Sequence, residues 1–584
     1  MYLAELEISN FRKLKKAALK FQPGLNILVG ANNVGKTAVV DALRALLAGH
    51  DEPYPRLNVE DVHHPKGGKP VGDIVFQYVF RGLDADDEAD FLAALKPGAA
   101  GALEAHITIR YADADKGGRL RVKRWCGDHE DVGLTSDMME NLRGVYLPPL
   151  RDASHSLKPG RTSQLARLFQ LLADDAGRDG INVALKALDD ELKKHQPIIN
   201  THSAIKSRHG VMLGAQLAQA LDLGLSASDF QRLASRLSLL VDTFEIEQNG
   251  LGFNNLIFMA VVLSELAKNP EAAYRSLIIE EPEAHLHPQL QSVLLRYLET
   301  VQAAVDGEKP VQLFVTSHSP NFASIAELTS LTCLVDTGVA VETFFPRTIV
   351  FEKGKREKLK RYLDVTRAEL FFARRVIFVE GAAELMLVSV LAEKAGFKLR
   401  EHAVSLISVE GLNFDSFLPL FGDEALKIPV ALITDADPVD EPADGSEPQA
   451  LYPALDDAIK ASDNTAKMKA SEDLFVKVFH GVKTFEYDLA LHADNRTTML
   501  KALKELHPKI GEAVQASVDA AAGNAAKARA LFSGMFERKQ NNVQKGRFGQ
   551  ALAQAFSEPG AVCVVPAYIR DAVAHACQGA PAPQ

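Results

Sequence analysis

Cysteine is scarce in this chain and does not pair. Cys126, Cys333, Cys563 and Cys577 are scattered through 584 residues without a CxxC spacing, which excludes a zinc ribbon and a disulfide framework. Tryptophan occurs once. No run of about 18 apolar residues, the length a membrane-spanning helix needs, is present. The N terminus reads as an amphipathic strand in place of a signal peptide. The expectation is a cytoplasmic protein with no membrane partner. Basic residues are not in excess either: 65 Lys and Arg stand against 76 Asp and Glu, a formal net charge of −11. Indiscriminate coating of nucleic acid is thereby excluded, and any DNA contact must be a local basic groove. What remains, 47% hydrophobic and 24% charged residues, is ordinary for a globular protein of two to four domains.

The first chemistry lies near the N terminus. The apolar run LNILVG leads into GANNVGKT, Gly30 to Thr37, and AVVDALRALLAG follows with helical spacing. This is G-x-x-x-x-G-K-T in the strand–loop–helix setting that gives it meaning. Gly30, Asn32, Asn33 and Gly35 belong to a loop whose N–H groups wrap phosphates. Lys36 is placed for the β- and γ-phosphates of ATP and Thr37 for Mg²⁺. Some 240 residues on, SLIIEEPEAHLHPQLQ is a buried strand ending in Glu280 and Glu281. Glu280 is assigned to the Mg²⁺ shell and Glu281 to polarising the attacking water. His285 and His287 form an HxH pair, but with no third ligand near them they read better as the start of the next helix. PVQLFVTSHSP ends another strand in Ser317, His318 and Ser319, a polar tip suited to sensing a γ-phosphate. NGLGFNNLIFMAVVLSEL opens an apolar helix with a Gly/Asn-rich turn, and such a helix start is an anion site.

In order, these pieces resemble the ATP-binding-cassette ATPases of the chromosome-maintenance and DNA-recombination kind, over roughly residues 1–155 and 245–348. In that family the Gly-rich helix start, here Gly250 and Gly252, contacts the nucleotide of a second subunit. The family's Ser-Gly-Gly signature is replaced by Asn249-Gly250-Leu251-Gly252. We divide the ATPase into residues 1–157 and 246–348. Residues 158–245 form a helical insert that includes RTSQLARLFQLLADD, VALKALDDELKKH and DFQRLASRLSLLVDTF. The insert is too short, and too irregular in its heptads, for coiled-coil arms. It reads as a dimerisation element, with Leu237 and Leu240 on its apolar stripe, or else as a lid. A basic linker, residues 349–372, is either a solvated face or a phosphate-backbone contact.

Residues 373–584 carry the second chemistry. VIFVEGAAELMLVSVL ends a strand in Glu380 and puts Glu384 one helical turn on, and VALITDADP ends another in Asp435 and Asp437. Acids at strand ends of an alternating α/β unit lie where such sheets bind ligands. Glu380 and Glu384 should face one spot, and Asp435 and Asp437, if the chain is extended, should point the same way. Converging carboxylates need cations, and all-oxygen ligands select Mg²⁺, Mn²⁺ or Ca²⁺. VEGAAE and TDADP resemble the Toprim domain of topoisomerases, primases and certain nucleases. The scattered cysteines disfavour a zinc-ribbon primase, and there is no room for a DNA-gate domain ahead of Toprim, so water is the expected nucleophile.

A split ATP-binding-cassette domain followed by Toprim resembles the overcoming-lysogenization-defect family, which includes the nuclease subunit of the Gabija anti-phage system. The fold expected is α/β: an ABC-type ATPase interrupted by a helical dimerisation insert, then Toprim. The resemblance implies Glu486, and more weakly Asp488, as a further metal ligand, and Lys545 as the residue steadying the scissile phosphate. It implies hydrolysis of DNA assisted by two Mg²⁺ or Mn²⁺ ions about 4 Å apart. It also implies a homodimer or higher symmetric oligomer, and a helicase encoded next door. The rival reading is an ATP-driven DNA clamp with a non-catalytic Toprim fold.

Overall fold

The computed structural model describes residues 1–48, 53–65, 68, 70–98, 101–149, 156–160, 163–224, 229–268, 272–301, 308–440 and 449–578. Three sheets organise them. The strand Leu25–Val29 is buried at every position, as a parallel strand covered on both faces must be. It lies inside a six-stranded sheet ordered Val341–Phe344, Leu331–Asp336, Leu25–Val29, Gln312–Thr316, Tyr274–Glu280, Leu142–Leu147. All neighbours are parallel except the first pair. A second, antiparallel sheet holds Tyr2–Phe11, Leu14–Lys20, Ile74–Arg81 and Leu103–Ala112. It shares one core with the helix Lys36–Leu47 that follows the phosphate loop.

The third sheet is parallel, ordered Val404–Ser408, Arg375–Val379, Val430–Ile433, Val476–Phe479. Its strand ends carry the acids of the C-terminal half. Helices Ala382–Lys394, Lys545–Ser557 and Ala567–Gln578 cover one face in a separate core. The other face joins the ATPase: Leu313 and Val315 of the first sheet belong to the same buried cluster as Phe378 and Leu432. Residues 349–372 are part of that cluster. Leu359, on the helix Lys355–Tyr362, and Leu370 are fully or almost fully buried. The cations of this stretch are mostly engaged: Lys355 and Lys358 pair with Asp415, Lys360 with Glu327, and Arg367 with Asp364 and Glu410.

The insert contains the helices Gln164–Leu172, Asp175–Leu192 and Gln196–Leu217. The third expected helix is only Phe230–Ala234; Leu240–Val241 and Phe244–Glu245 pair as a hairpin instead. Asp242 and Thr243 both have positive φ, 49° and 74°, which is the conformation of a two-residue hairpin turn. Leu237 and Leu240 therefore do not share a helical stripe. Leu251–Lys268 is long and apolar enough to cross a membrane, but more than half of it is buried within the fold, as in a core helix.

Candidate active sites

The phosphate loop is bent as its glycines allow: φ is 148° at Gly30, 110° at Gly35 and 63° at Asn33. A Cβ on Gly30 would stand 2.4 Å from the Leu334 carbonyl oxygen, so the loop's start is pressed against the neighbouring strand. Lys36 is buried and donates from Nζ to the carbonyls of Gly30 at 2.6 Å and Ala31 at 3.0 Å. Burial pushes its pKa down to about 8, against the pull of Glu281 and Glu283. Thr37 Oγ1 lies 3.5 Å from Glu280 Oε2, and Tyr146 donates to Glu280 Oε1 at 2.6 Å. The hydroxyl and carboxylate that would share a Mg²⁺ ion thus meet across the sheet.

Glu281 sits at φ 46°, with its carboxylate 3.6 Å from His318 Nε2. Burial and the nearby Lys36 hold His318 below its usual pKa, against the pull of Glu281. The other two residues of that tip are structural. Ser319 caps the helix Pro320–Ile325, and Ser317 donates to Glu283 at 2.7 Å. His287 occupies the position just before the helix Pro288–Thr300, without a side-chain capping bond. Gly252 lies in the first turn of the helix Leu251–Lys268, where a Cβ would come 2.6 Å from the His285 carbonyl oxygen. Glycine is thus required there by packing within the chain. Gly250 faces open space.

At the second site Glu380 follows its strand directly. Its Oε1 accepts from Thr434 Oγ1 at 2.7 Å and from the Asp435 N–H at 2.9 Å. Asp435 Oδ1 in turn accepts the Phe485 N–H at 2.9 Å, at the start of the helix Phe485–Ala490 that bears Glu486. Glu384 is buried in the first turn of its helix, and burial together with Glu486 raises its pKa to about 7. Burial, Glu380 and Glu486 push Asp435 well above the carboxylate range. Lys545 Nζ lies 2.9 Å from Glu486 Oε2. Burial works against its charge, but Glu486, Asp435 and Glu384 outweigh that and raise its pKa.

Glu380, Glu384, Asp435, Glu486 and Lys545 are therefore one electrostatic cluster. Asp437 departs from the expectation. The strand ends at Ile433, and Asp437 is exposed at φ 40°, a left-handed bend and not an extended segment. Asp488 accepts the N–H groups of Val482 and Lys483 and so braces the loop before Glu486. Among the described residues no three Asp, Glu, His or Cys groups close to ligating distance. Glu486, however, is 1% exposed; its Oε2 is met by the Lys545 ammonium at 2.9 Å and its Oε1 receives no hydrogen bond. Glu380, Glu384, Asp435 and Glu486 together still outnumber the Lys545 ammonium, and burial and mutual repulsion raise the pKa of Glu384 and Asp435, so the all-oxygen donor set fits a hard divalent metal.

Sequence reasoning missed Tyr146, Glu283, Thr434 and Tyr568. Burial and the carboxylates of Asp488, Asp435, Glu384 and Glu486 push the Tyr568 hydroxyl well above its usual pKa. It also missed Gly549. A Cβ there would stand 2.9 Å from Ala383 Cα, so the helices carrying Glu384 and Lys545 approach through this glycine. Gly549→Val should wedge them apart, cost about 1–3 kcal/mol in overpacking and impair the second site. ATP turnover, measured beside the melting curve, should stay near that of the parent.

Comparisons with known proteins bear on the domains that carry these sites. Residues 1–117 and 146–323, just over half of the chain, match the family described as AAA ATPase domain. Residues 371–437 match the family described as Overcoming lysogenization defect protein-like, TOPRIM domain. The chain is 24% identical over 476 residues to the OLD nuclease of Thermus scotoductus, a match spanning 76% of this chain and 84% of that protein. It is 25% identical over 296 residues to an Endonuclease GajA of Bacillus cereus, spanning 46% of this chain and 42% of that protein. Among solved structures, the C-terminal region of the Xanthomonas campestris pv. campestris OLD protein is 29% identical, covering 36% of this chain and 95% of that one, with a TM-score of 0.25.

Proposed function

The chain belongs to the overcoming-lysogenization-defect family of ATPase-linked Toprim nucleases, and from that premise we propose that it is an ATP-regulated DNA endonuclease dependent on Mg²⁺ or Mn²⁺. The observation that carries the reading is the convergence of four carboxylates, Glu380, Glu384, Asp435 and Glu486, on the Lys545 ammonium. Glu380, Glu384, Asp435 and Glu486 would hold divalent ions, whose chemistry is to activate water and stabilise the departing 3′ oxygen. The chain's own groups prepare the rest. Thr434 and the Asp435 N–H fix the Glu380 carboxylate, and the Phe485 N–H fixes Asp435. The Lys545 ammonium faces the charge that builds on the phosphate in the transition state.

Glu280 and Thr37 hold the nucleotide's Mg²⁺, Lys36 holds its phosphates, and Glu281 with His318 orients the water that cleaves ATP. Nucleotide binding then controls access or assembly; phosphodiester hydrolysis is already downhill and needs no ATP. The setting is the cytoplasm, in phage defence or DNA processing, with a helicase from a neighbouring gene as partner. Purified protein incubated with supercoiled and linear DNA plus Mg²⁺ or Mn²⁺ tests the reaction. Metal-dependent nicking or linearisation is expected. DNA binding driven by ATP without scission in either metal would leave only a clamp.

The protein acts as a symmetric homo-oligomer, at least a dimer, in which Gly250 and Gly252 meet a partner's nucleotide. On the insert helix Gln196–Leu217, Val211 and Met212 are 83% and 81% exposed, and the chain's own fold leaves them uncovered. Val211→Asp with Met212→Asp should dissociate the oligomer or weaken it and lower ATP turnover. Light scattering at several concentrations checks this; a monomeric parent would overturn the role given to the insert.

A further inference from the structure

Beside the carboxylate cluster lies a groove of about 780 Å³ between the helix Lys355–Tyr362 and the helix Asp463–Ala470. Its walls include Glu352, Lys355, Leu412, Asp415, Phe421 and Lys467. Two of its elements begin at the backbone of the acids themselves. Thr465 Oγ1 donates to the Asp435 carbonyl at 2.8 Å, and the Ser462 N–H to the Ala436 carbonyl at 2.8 Å. On the other side the Gly411 N–H donates to the Glu380 carbonyl at 2.8 Å, and the chain continues directly into Leu412. A polymer whose phosphate reached Glu380 and Asp435 would find this groove next to it.

The groove's walls balance Lys355 and Lys467 against Glu352 and Asp415, and the local excess of cations comes from the residues around it. In a chain of net charge −11, residues 352–361 hold Lys353, Lys355, Arg356, Lys358, Lys360 and Arg361 against Glu352 and Glu357, with Lys360 paired to Glu327. Lys467 and Lys469 add exposed cations from the facing helix and form no ion pair with a described residue. Asp415 pairs with both Lys355 and Lys358, and partly neutralises the wall. Leu412, 51% exposed, offers an apolar surface to sugars and bases. Cations along a track with an apolar surface between them are what a nucleic-acid strand requires.

We propose that this groove seats the DNA strand flanking the scissile phosphate, with Lys467 and Lys355 on its backbone and Asp415 as an internal counter-charge that moderates affinity. The inference rests on the DNA-nuclease reading above, and the test separates the two. Binding of a fluorescein-labelled DNA duplex is followed by anisotropy in EDTA, so that no cleavage intervenes, across a series of salt concentrations. Lys467→Glu should weaken binding by about tenfold and flatten the dependence of log affinity on log salt by about one unit. Asp415→Asn, which frees two lysines, should tighten binding by about threefold. ATP turnover and melting temperature should match the parent in both. If both variants bind like the parent while the parent cleaves DNA, the groove is not the path and the nuclease stands. A parent that neither binds nor cleaves DNA overturns the reading on which the inference rests.

Discussion

Asp435→Ala should abolish metal-dependent nicking of supercoiled DNA, a loss of about three orders of magnitude or more, while ATP affinity stays that of the parent. The two halves of this expectation have separate physical grounds. Asp435 interacts with Glu380, Glu486 and Lys545 and, through the Phe485 N–H, holds the start of the helix bearing Glu486. Its loss removes a ligand and the anchor of another. Asp435→Asn keeps the acceptor for the Phe485 N–H and removes only the charge, so equal loss in both variants assigns the effect to charge. The nucleotide site lies on a different sheet, at the ends of Leu25–Val29 and Tyr274–Glu280. Undiminished plasmid cleavage by Asp435→Ala would sink the metal site as drawn.

How far this site could be read from the sequence depends on how locally each part is encoded. Glu380 and Glu384 were legible because a strand end and the first helical turn after it are separated by only four residues. The phosphate loop was legible for the same reason: its chemistry lies in eight consecutive positions. Asp437 was misread because two-residue spacing means a shared direction only while the chain stays extended. Thr434 instead turns its hydroxyl onto Glu380 and the chain bends at φ 40°. The hairpin at residues 240–245 was misread because a few apolar residues fit both helical and alternating patterns; Asp242 and Thr243 at positive φ decide it. Tyr146 was invisible for another reason. It reaches Glu280 through the parallel register that sets Tyr146 against Ile278, and no local pattern records that pairing.

The nucleotide site yields the second large effect. Lys36→Ala should lower ATP affinity by about a hundredfold, the worth of one or two charge-assisted hydrogen bonds to phosphate, and abolish turnover with it. Lys36 is the cation the loop itself supplies. It is held in place by the Gly30 and Ala31 carbonyls and depressed to about 8 by burial. Incoming phosphates replace those carbonyls with full negative charge, so the ammonium is stabilised by the ligand it binds. Glu281→Gln should separate binding from chemistry. The amide keeps the shape beside His318 but accepts a proton poorly, so ATP should bind with the parent's affinity and be hydrolysed slowly. Equilibrium binding of a fluorescent ATP analogue, read beside steady-state phosphate release, distinguishes the pair. Turnover at the parent rate in both variants would mean that Lys36 and Glu281 do not form the hydrolytic site.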